Sequence, residues 1–261
     1  MNPSTAGIAG IGLLLVLFLL GMPVAFSMAI VGVVGFAYVS GVTPALYLLA
    51  TDIFEQFSSY PLSVIPMFIL MGTFAFASGI SQRLYYTAYT WVGHLRGGLT
   101  VATVLACSGF AAICGSTAAT AATMGQIALP EMRKYGYDDQ FATGTVASAG
   151  TLGILIPPST IFIVYGIMTE ESIGKLFVAG VIPGLILTLF FLITVFILCY
   201  RNPKLGPPGD VTTWKEKFRA LTGIIEAVIL FVLTIGGLFL GWFSPTQAGA
   251  IGAGGALVIG I

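Results

Sequence analysis

A chain of 261 residues with ten Lys and Arg against ten Asp and Glu carries no net charge, and 57% of its positions are hydrophobic against 8% charged. Soluble domains carry about a quarter charged residues, so a soluble globular fold is excluded, and no basic surplus marks a nucleic-acid partner. Charge is absent from residues 1–51, 56–82, 97–130, 140–169, 176–200 and 227–261. Each stretch exceeds the roughly 20 apolar residues that cross a hydrocarbon core of about 30 Å, which predicts an all-α integral membrane protein with several crossings.

The N-terminal run lacks a basic region and a small-residue cleavage site, so it is expected to stay as a membrane segment. Residues 7–39 are too long for one ordinary crossing and are interrupted at Gly21, Met22 and Pro23, as a kink or as a turn between two helices. Residues 43–58 are more amphipathic, and Asp52 and Glu55 read as an acidic interfacial face. Residues 61–78 form another apolar segment. The link 81–98 is polar, with Arg83, Arg96 and a solvated or interfacial His94. Residues 99–130 centre on CGSTAATAATM (114–124), where a lipid-facing helix would show Leu, Ile and Phe, and end at Pro130 and a charged turn, 131–139. The next segment, 141–168, is broken at 150–159. Residues 173–200 and 221–242 read as plain lipid-compatible helices on either side of a polar connector, 201–219, with Glu226 snorkelling to the interface. Cys107, Cys114 and Cys199 lie in apolar stretches without CxxC spacing and read as buried free thiols.

Loop charges give orientation, because cytoplasmic loops collect Lys and Arg. Arg201, Lys204, Lys215, Lys217 and Arg219 put the connector inside; Glu170 and Glu171 then fall outside, and Arg133 and Lys134 inside. Arg83 and Arg96 also belong inside. With both ends cytoplasmic, 99–130 must enter and leave on the same side, as a re-entrant helical hairpin with its tip near Gly115, Ser116 and Thr117.

Two places break the rule that backbone at membrane depth is helical unless it is buried in protein or lines a watery cavity. One is the tip at 115–117. The other is 150–159, where Pro157 and Pro158 lack the N–H groups that the carbonyls of Gly153 and Ile154 would accept from. Freed carbonyls and hydroxyls suit a hard cation such as Na⁺, and the N-termini of the half-helices suit an anion. Paired broken segments of this kind point to a transporter's binding site. The plainer alternative is helix packing, which small residues also serve; two adjacent breaks of like chemistry favour function. No nucleophile–base set, metal cluster or nucleotide loop occurs, so an enzyme is not expected. A channel or pore-forming subunit is the alternative functional reading.

A weaker pattern links PVAFSMAIVG (23–32) with PTQAGAIGAG (245–254), each after a run of bulky apolar residues. With the central connector it suggests that a second structural repeat starts near Leu221, and that the chain is the N-terminal part of a longer protein.

The segments GSTAATAATMGQIALPEMRKYGY (115–137) and ASAGTLGILIPPS (147–159), with IPMFILMG (65–72), GVIPG (180–184) and SPTQAG (244–249), resemble the large membrane subunit of tripartite ATP-independent periplasmic (TRAP) transporters, the DctM-like family. The resemblance implies a multi-helix bundle with a re-entrant hairpin and a discontinuous helix, the first of two inverted repeats in an elevator-type fold. It places the first repeat at 1–201, with scaffold helices at about 1–80, the hairpin at about 86–134, the broken helix at about 138–170 and a helix at about 172–201. A cytoplasmic connector (202–219) and a truncated start of the second repeat (220–261) follow. The implied activity is Na⁺-driven uptake of an organic acid, a dicarboxylate, sialic acid or other carboxylate, across a bacterial inner membrane. Na⁺ is the coupling ion and no covalent cofactor is implied. The implied partners are a DctQ-like small membrane subunit and a DctP-like periplasmic substrate-binding protein. By position, Gly115, Ser116, Thr117, Gly150, Thr151, Pro157 and Pro158 would form the Na⁺ site, and Ser116, Thr117 and Ser159 would meet the substrate.

Overall fold

The computed structural model describes residues 3–260, and no strand occurs among them. Met1 and Ile261, the outer limits of the expected repeats, lie outside the described residues. The chain divides into two compact units, Met1–Ser59 and Tyr60–Ile261.

The first unit is a chain of three helices, α1 (Pro3–Leu19), α2 (Val24–Ser40) and α3 (Val42–Ser58), each packed on the next. Between α1 and α2 the backbone turns at Gly21, φ +77°, with the amides of Gly21 and Met22 bonded back to Phe18 and Leu17 carbonyls. The interruption at 21–23 is thus a turn. Within this unit only Ser27 and Ala45 are buried among the described residues, while Leu19 and Phe57 stand 88% and 90% exposed. Three helices with so little core are stable in a lipid solvent, where apolar side chains need no burial.

The second unit is built around a hairpin. After a 3₁₀ turn (Pro61–Ser63) come α4 (Val64–Ala77) and α5 (Ile80–Val92), then α6 (Gly98–Cys114) and α7 (Thr117–Lys134), which pack against each other across a two-residue tip. Thirteen of the seventeen residues of α6 are buried, and α4, α5, α7, α8 and α11 surround it. A broken span follows as α8 (Asp139–Gly150), α9 (Leu152–Leu155) and α10 (Thr160–Met168). Next come α11 (Ile173–Arg201), α12 (Trp214–Ala220), α13 (Ile225–Phe231), α14 (Gly237–Phe239) and α15 (Pro245–Gly260). Three stretches, Asp139–Met168, Ile173–Arg201 and Trp214–Phe239, are long and apolar enough to cross a membrane. α15 opens with a reciprocal cap, the Ser244 amide donating to Gln247 Oε1 (2.9 Å) and the Gln247 amide to Ser244 Oγ (3.3 Å), and its small residues lie on α4, Gly249 against Met67 and Gly252 against Met71.

Both ends of the hairpin meet on one face. The Leu99 amide, at the start of the first arm, donates to the Tyr137 hydroxyl, just beyond the second, at 3.1 Å. The connector is laid across the same corner. The Gly97 amide donates to Gly206 O and the Gly209 amide to Gly93 O, both at 2.8 Å, and the Asp138 amide donates to Leu205 O at 3.3 Å. Tyr89, Tyr135 and Asp210 join in a side-chain cluster, and Thr212 Oγ1 donates to Thr90 O. Gly206 fits only as glycine, since a Cβ there would lie 2.9 Å from both Gly97 Cα and Cys199 Sγ.

Several sequence expectations need correction. The polar link 81–98 is largely the amphipathic helix α5, which buries Ile80, Ser81, Tyr85, Thr87 and Thr90; aromatic and hydroxyl side chains hide its period from a hydropathy reading. His94 is not simply solvated, because its Nδ1 is buried without a hydrogen-bond partner. Glu226 pairs with Arg83 instead of reaching freely for the interface. The span expected at 221–242 is not plain: it runs from a 3₁₀ turn (Leu221–Ile224) through α13 and a π-turn (Val232–Gly236) into α14. Thr234 Oγ1 returns a bond to Leu230 O (2.6 Å) inside that turn, a competition for backbone carbonyls that distorts helices.

Candidate functional site

The hairpin tip is set by backbone geometry. α6 stops at Cys114 because Gly115 takes the left-handed conformation (φ +61°), with its amide still bonded to Ala111 O (3.1 Å). Ser116 is extended (φ −134°, ψ 123°) and caps α7, its Oγ accepting from the Ala119 amide at 3.4 Å. The break in the span repeats this device. Ser159 has nearly the same backbone (φ −132°, ψ 126°) and caps α10, its Oγ accepting from the Phe162 amide at 3.5 Å. Two helix N-termini, each opened by an extended serine, thus begin at the two breaks.

The depth of each break follows from helix rise. From Glu131 to Thr117 the second arm climbs about 21 Å, and α8 from Asp139 to Gly150 about 17 Å, at 1.5 Å per residue. Both start from charged residues on the connector's face, so both stop inside a hydrocarbon core of about 30 Å.

Tip and break are in direct contact. The Thr160 amide and Oγ1 both donate to Gly115 O, at 3.2 and 3.3 Å. A Cβ on Gly115 would lie 2.4 Å from Pro158 O, and one on Gly153 2.8 Å from Ser116 C and 2.9 Å from the Thr117 amide nitrogen. Gly150 faces Ala121 in the same way, at 2.7 Å. Three glycines therefore let two backbones lie against each other. The neighbouring helices approach as closely: Gly72 of α4 meets Cys114, and Gly180 and Gly184 of α11 meet Leu155 and Ile156. The sequence motifs at 65–72 and 180–184 owe their small residues to these contacts.

The site residues named from sequence divide as follows. Gly115, Ser116, Thr117, Pro157, Pro158 and Ser159 lie along one seam, joined there by Gly153, and Ser159 is wholly buried. Thr117 Oγ1 is buried without a partner, an oxygen with coordination capacity left over. Pro157 and Pro158, joined by a cis peptide, offer nothing to the carbonyls of Gly153 and Ile154. Gly150 is the last residue of α8, and Thr151, whose hydroxyl donates to Ser148 O at 2.6 Å, is the turn residue between α8 and α9; the extended backbone follows at Ile156–Ser159. Thr160 and Cys114 were not singled out from sequence. Cys114 Sγ lies 3.1 Å from Thr120 Oγ1, and Thr160 ties the seam with its amide and hydroxyl on the Gly115 carbonyl, a main-chain acceptor for which a sequence carries no signal. Beside the tip, an open cavity of about 200 Å³ is lined by Ile69, Thr73, Phe110, Ser116, Ala119 and Thr123, among others. No cluster of three or more His, Cys, Asp or Glu occurs among the described residues; the donors at the seam are hydroxyls and carbonyls, suited to a hard monovalent cation.

Residues 11–261 match the family model of the tripartite ATP-independent periplasmic transporter, DctM component. The chain is 44% identical over 205 residues to the C4-dicarboxylate TRAP transporter large permease protein DctM of Pseudomonas aeruginosa, covering 78% of this chain and 48% of that protein. It is 37% identical to the protein of that name from Vibrio cholerae, covering 91% and 52%. It is 36% identical to the isethionate TRAP transporter permease protein DctMQ of Oleidesulfovibrio alaskensis, covering 92% and 37%. The chain spans about half the length of the curated relatives it matches.

Proposed function

The chain belongs to the DctM-component family of tripartite ATP-independent periplasmic transporters, and on that premise we propose that it supplies one half of the transport path of a Na⁺-driven permease for an organic acid in a bacterial inner membrane. The observation that carries the reading is the seam between the hairpin tip and the Ile156–Ser159 break, where an unpartnered Thr117 hydroxyl lies near carbonyls that Pro157 and Pro158 have no N–H to serve.

The two kinds of helix end divide the work. The C-terminal end of α9 presents carbonyls, the negative end of the dipole, and with Thr117 Oγ1 these coordinate Na⁺. Gly115 O, already accepting twice from Thr160, contributes less. The capped N-termini of α7 and α10 present positive dipole ends to the substrate carboxylate, with Ser116 lining the open cavity, Thr117 next to it in the chain and Ser159 wholly buried. Because hairpin and broken helix touch through glycines, they travel as one body, which is the requirement of an elevator motion. The relatives named for C4-dicarboxylates favour such an acid as substrate. A DctQ-like small subunit and a DctP-like binding protein complete the system; the name DctMQ of the Oleidesulfovibrio relative supports the first.

Substituting Ser116→Ala or Thr117→Val in the whole permease tests the assignment. Na⁺-dependent uptake is expected to fall about tenfold, the loss of one ligand or cap worth roughly 1.4 kcal/mol, with expression unchanged. Unaltered uptake and unaltered Na⁺ dependence in both variants would remove the seam from the mechanism.

A further inference from the structure

A second site lies away from the seam, where α5, α12 and the turn Leu221–Ile224 meet. A cleft of about 460 Å³ there is lined by Arg83, Tyr86, Thr87, Glu216, Arg219 and Thr222, among others. We propose that it holds the headgroup of an anionic phospholipid of the cytoplasmic leaflet.

The donors in the cleft are the ones an anion needs. Arg83 gives one guanidinium nitrogen to Glu226, but its Nε is buried with no partner. Arg219 is in no ion pair among the described residues. A guanidinium carries five N–H donors in a planar fork suited to phosphate. The two threonine hydroxyls are already committed as donors, Thr87 to Ala220 O and Thr222 to Arg219 O, both at 2.8 Å, so specificity falls on the arginines. Glu216 also lines the cleft, with its Oε2 held at the start of α12 by the Thr213 amide (2.7 Å) and Oγ1 (2.8 Å) in a capping box, so the two arginines must outweigh one fixed carboxylate.

The surroundings say that the occupant is a lipid. Trp214 and Phe218 of α12 stand 69% and 62% exposed beside Trp91, in a cluster with ring centroids 6.2 to 6.5 Å apart. Lys217 Nζ sits over the Trp214 ring at 5.3 Å from its centroid. Exposed aromatics beside Lys and Arg, at the connector end of the Trp214–Phe239 span, mark the headgroup level of a bilayer. The connector's Lys and Arg residues place this level in the cytoplasmic leaflet, whose anionic lipids attract such segments. A cleft with two arginines beside that aromatic belt therefore meets a phosphodiester with its acyl chains already in the lipid.

The test is native mass spectrometry of the intact permease in detergent, titrated with phosphatidylglycerol or phosphatidylcholine, with inorganic phosphate as competitor. Phosphatidylglycerol is expected to bind about fivefold more tightly, and Arg219→Gln to remove that preference, since one basic residue near the surface contributes about 1 kcal/mol. Glu226→Gln is expected to strengthen phosphatidylglycerol binding by releasing Arg83, a gain that a folding defect does not produce. Equal binding of the two lipids, an unchanged preference in Arg219→Gln, or weaker binding in Glu226→Gln would overturn the proposal. Displacement of the lipid by millimolar inorganic phosphate would overturn the choice of a lipid over a free anion.

Discussion

Adding one methyl group at three glycines separates the two physical demands made on the hairpin tip. Gly136 takes a positive φ (+74°) with open space around it, so Gly136→Ala meets only the left-handed backbone penalty, about 1 kcal/mol. Gly153 has an ordinary helical backbone, but its new Cβ would lie 2.8 to 3.0 Å from three backbone atoms of Ser116 and Thr117. Backbone cannot rotate away as a side chain can, so Gly153→Ala carries an overpacking cost of about 1–3 kcal/mol. Gly115 suffers both, with φ +61° and a Cβ 2.4 Å from Pro158 O, and Gly115→Ala is expected to cost about 2–5 kcal/mol. Relief requires the tip to lift from the break, which breaks the Thr160–Gly115 hydrogen bonds. Thermal unfolding in detergent should rank the midpoints wild type, Gly136→Ala, Gly153→Ala, Gly115→Ala in falling order. Uptake should be lost in the last two and kept in the first. Indistinguishable behaviour of Gly115→Ala and Gly136→Ala would refute the seam as described.

Three further outcomes follow from the connector and the neighbouring ion pair. The Thr213 amide and hydroxyl both donate to Glu216 Oε2, and the Glu216 amide donates back to Thr213 Oγ1, closing the capping box of α12. Thr213→Ala should therefore speed amide exchange at the start of α12, an N-cap contributing about 1 kcal/mol; unchanged protection of that turn would contradict the capping box. Asp210→Asn removes the charge that Tyr135 donates to, a contact that also pushes the Tyr135 phenol upward, and should speed exchange across 205–213 while leaving α6 protected. A double-mutant cycle on Arg83 and Glu226, 38% and 36% exposed, should give a coupling of no more than about 1 kcal/mol, the range for solvated pairs.

Much of this architecture was legible because membranes constrain sequence strongly. Loop charges alone required residues 99–130 to return to their own side, and the Tyr137–Leu99 bond joins the two ends. Two consecutive prolines marked the second break because they remove donors wherever they stand. The contacts that assemble the site were not legible. Gly115 on Pro158, Gly153 on Ser116 and Gly97 on Gly206 are main-chain approaches between segments far apart in sequence, and glycine announces a close approach without naming its partner. α5 was missed for a related reason: its buried face is built from tyrosine and threonine, which read as polar until Tyr85 and Thr90 are seen inside. The expected break at 150–159 corresponds to the end of α8 at Gly150, a turn at Thr151 and extended backbone at Ile156–Ser159, and the short α9 between them, Leu152–Leu155, carries no sequence signal of its own.

The central claim is Na⁺-coupled transport through this seam, and the most direct measurement is uptake of a radiolabelled C4-dicarboxylate into proteoliposomes. The whole permease would be reconstituted with its small subunit and a candidate binding protein, with and without an inward Na⁺ gradient. Accumulation that requires both Na⁺ and the binding protein, and that is lost in Thr117→Val, is the predicted result. Flux independent of both, and indifferent to Thr117→Val, would contradict it.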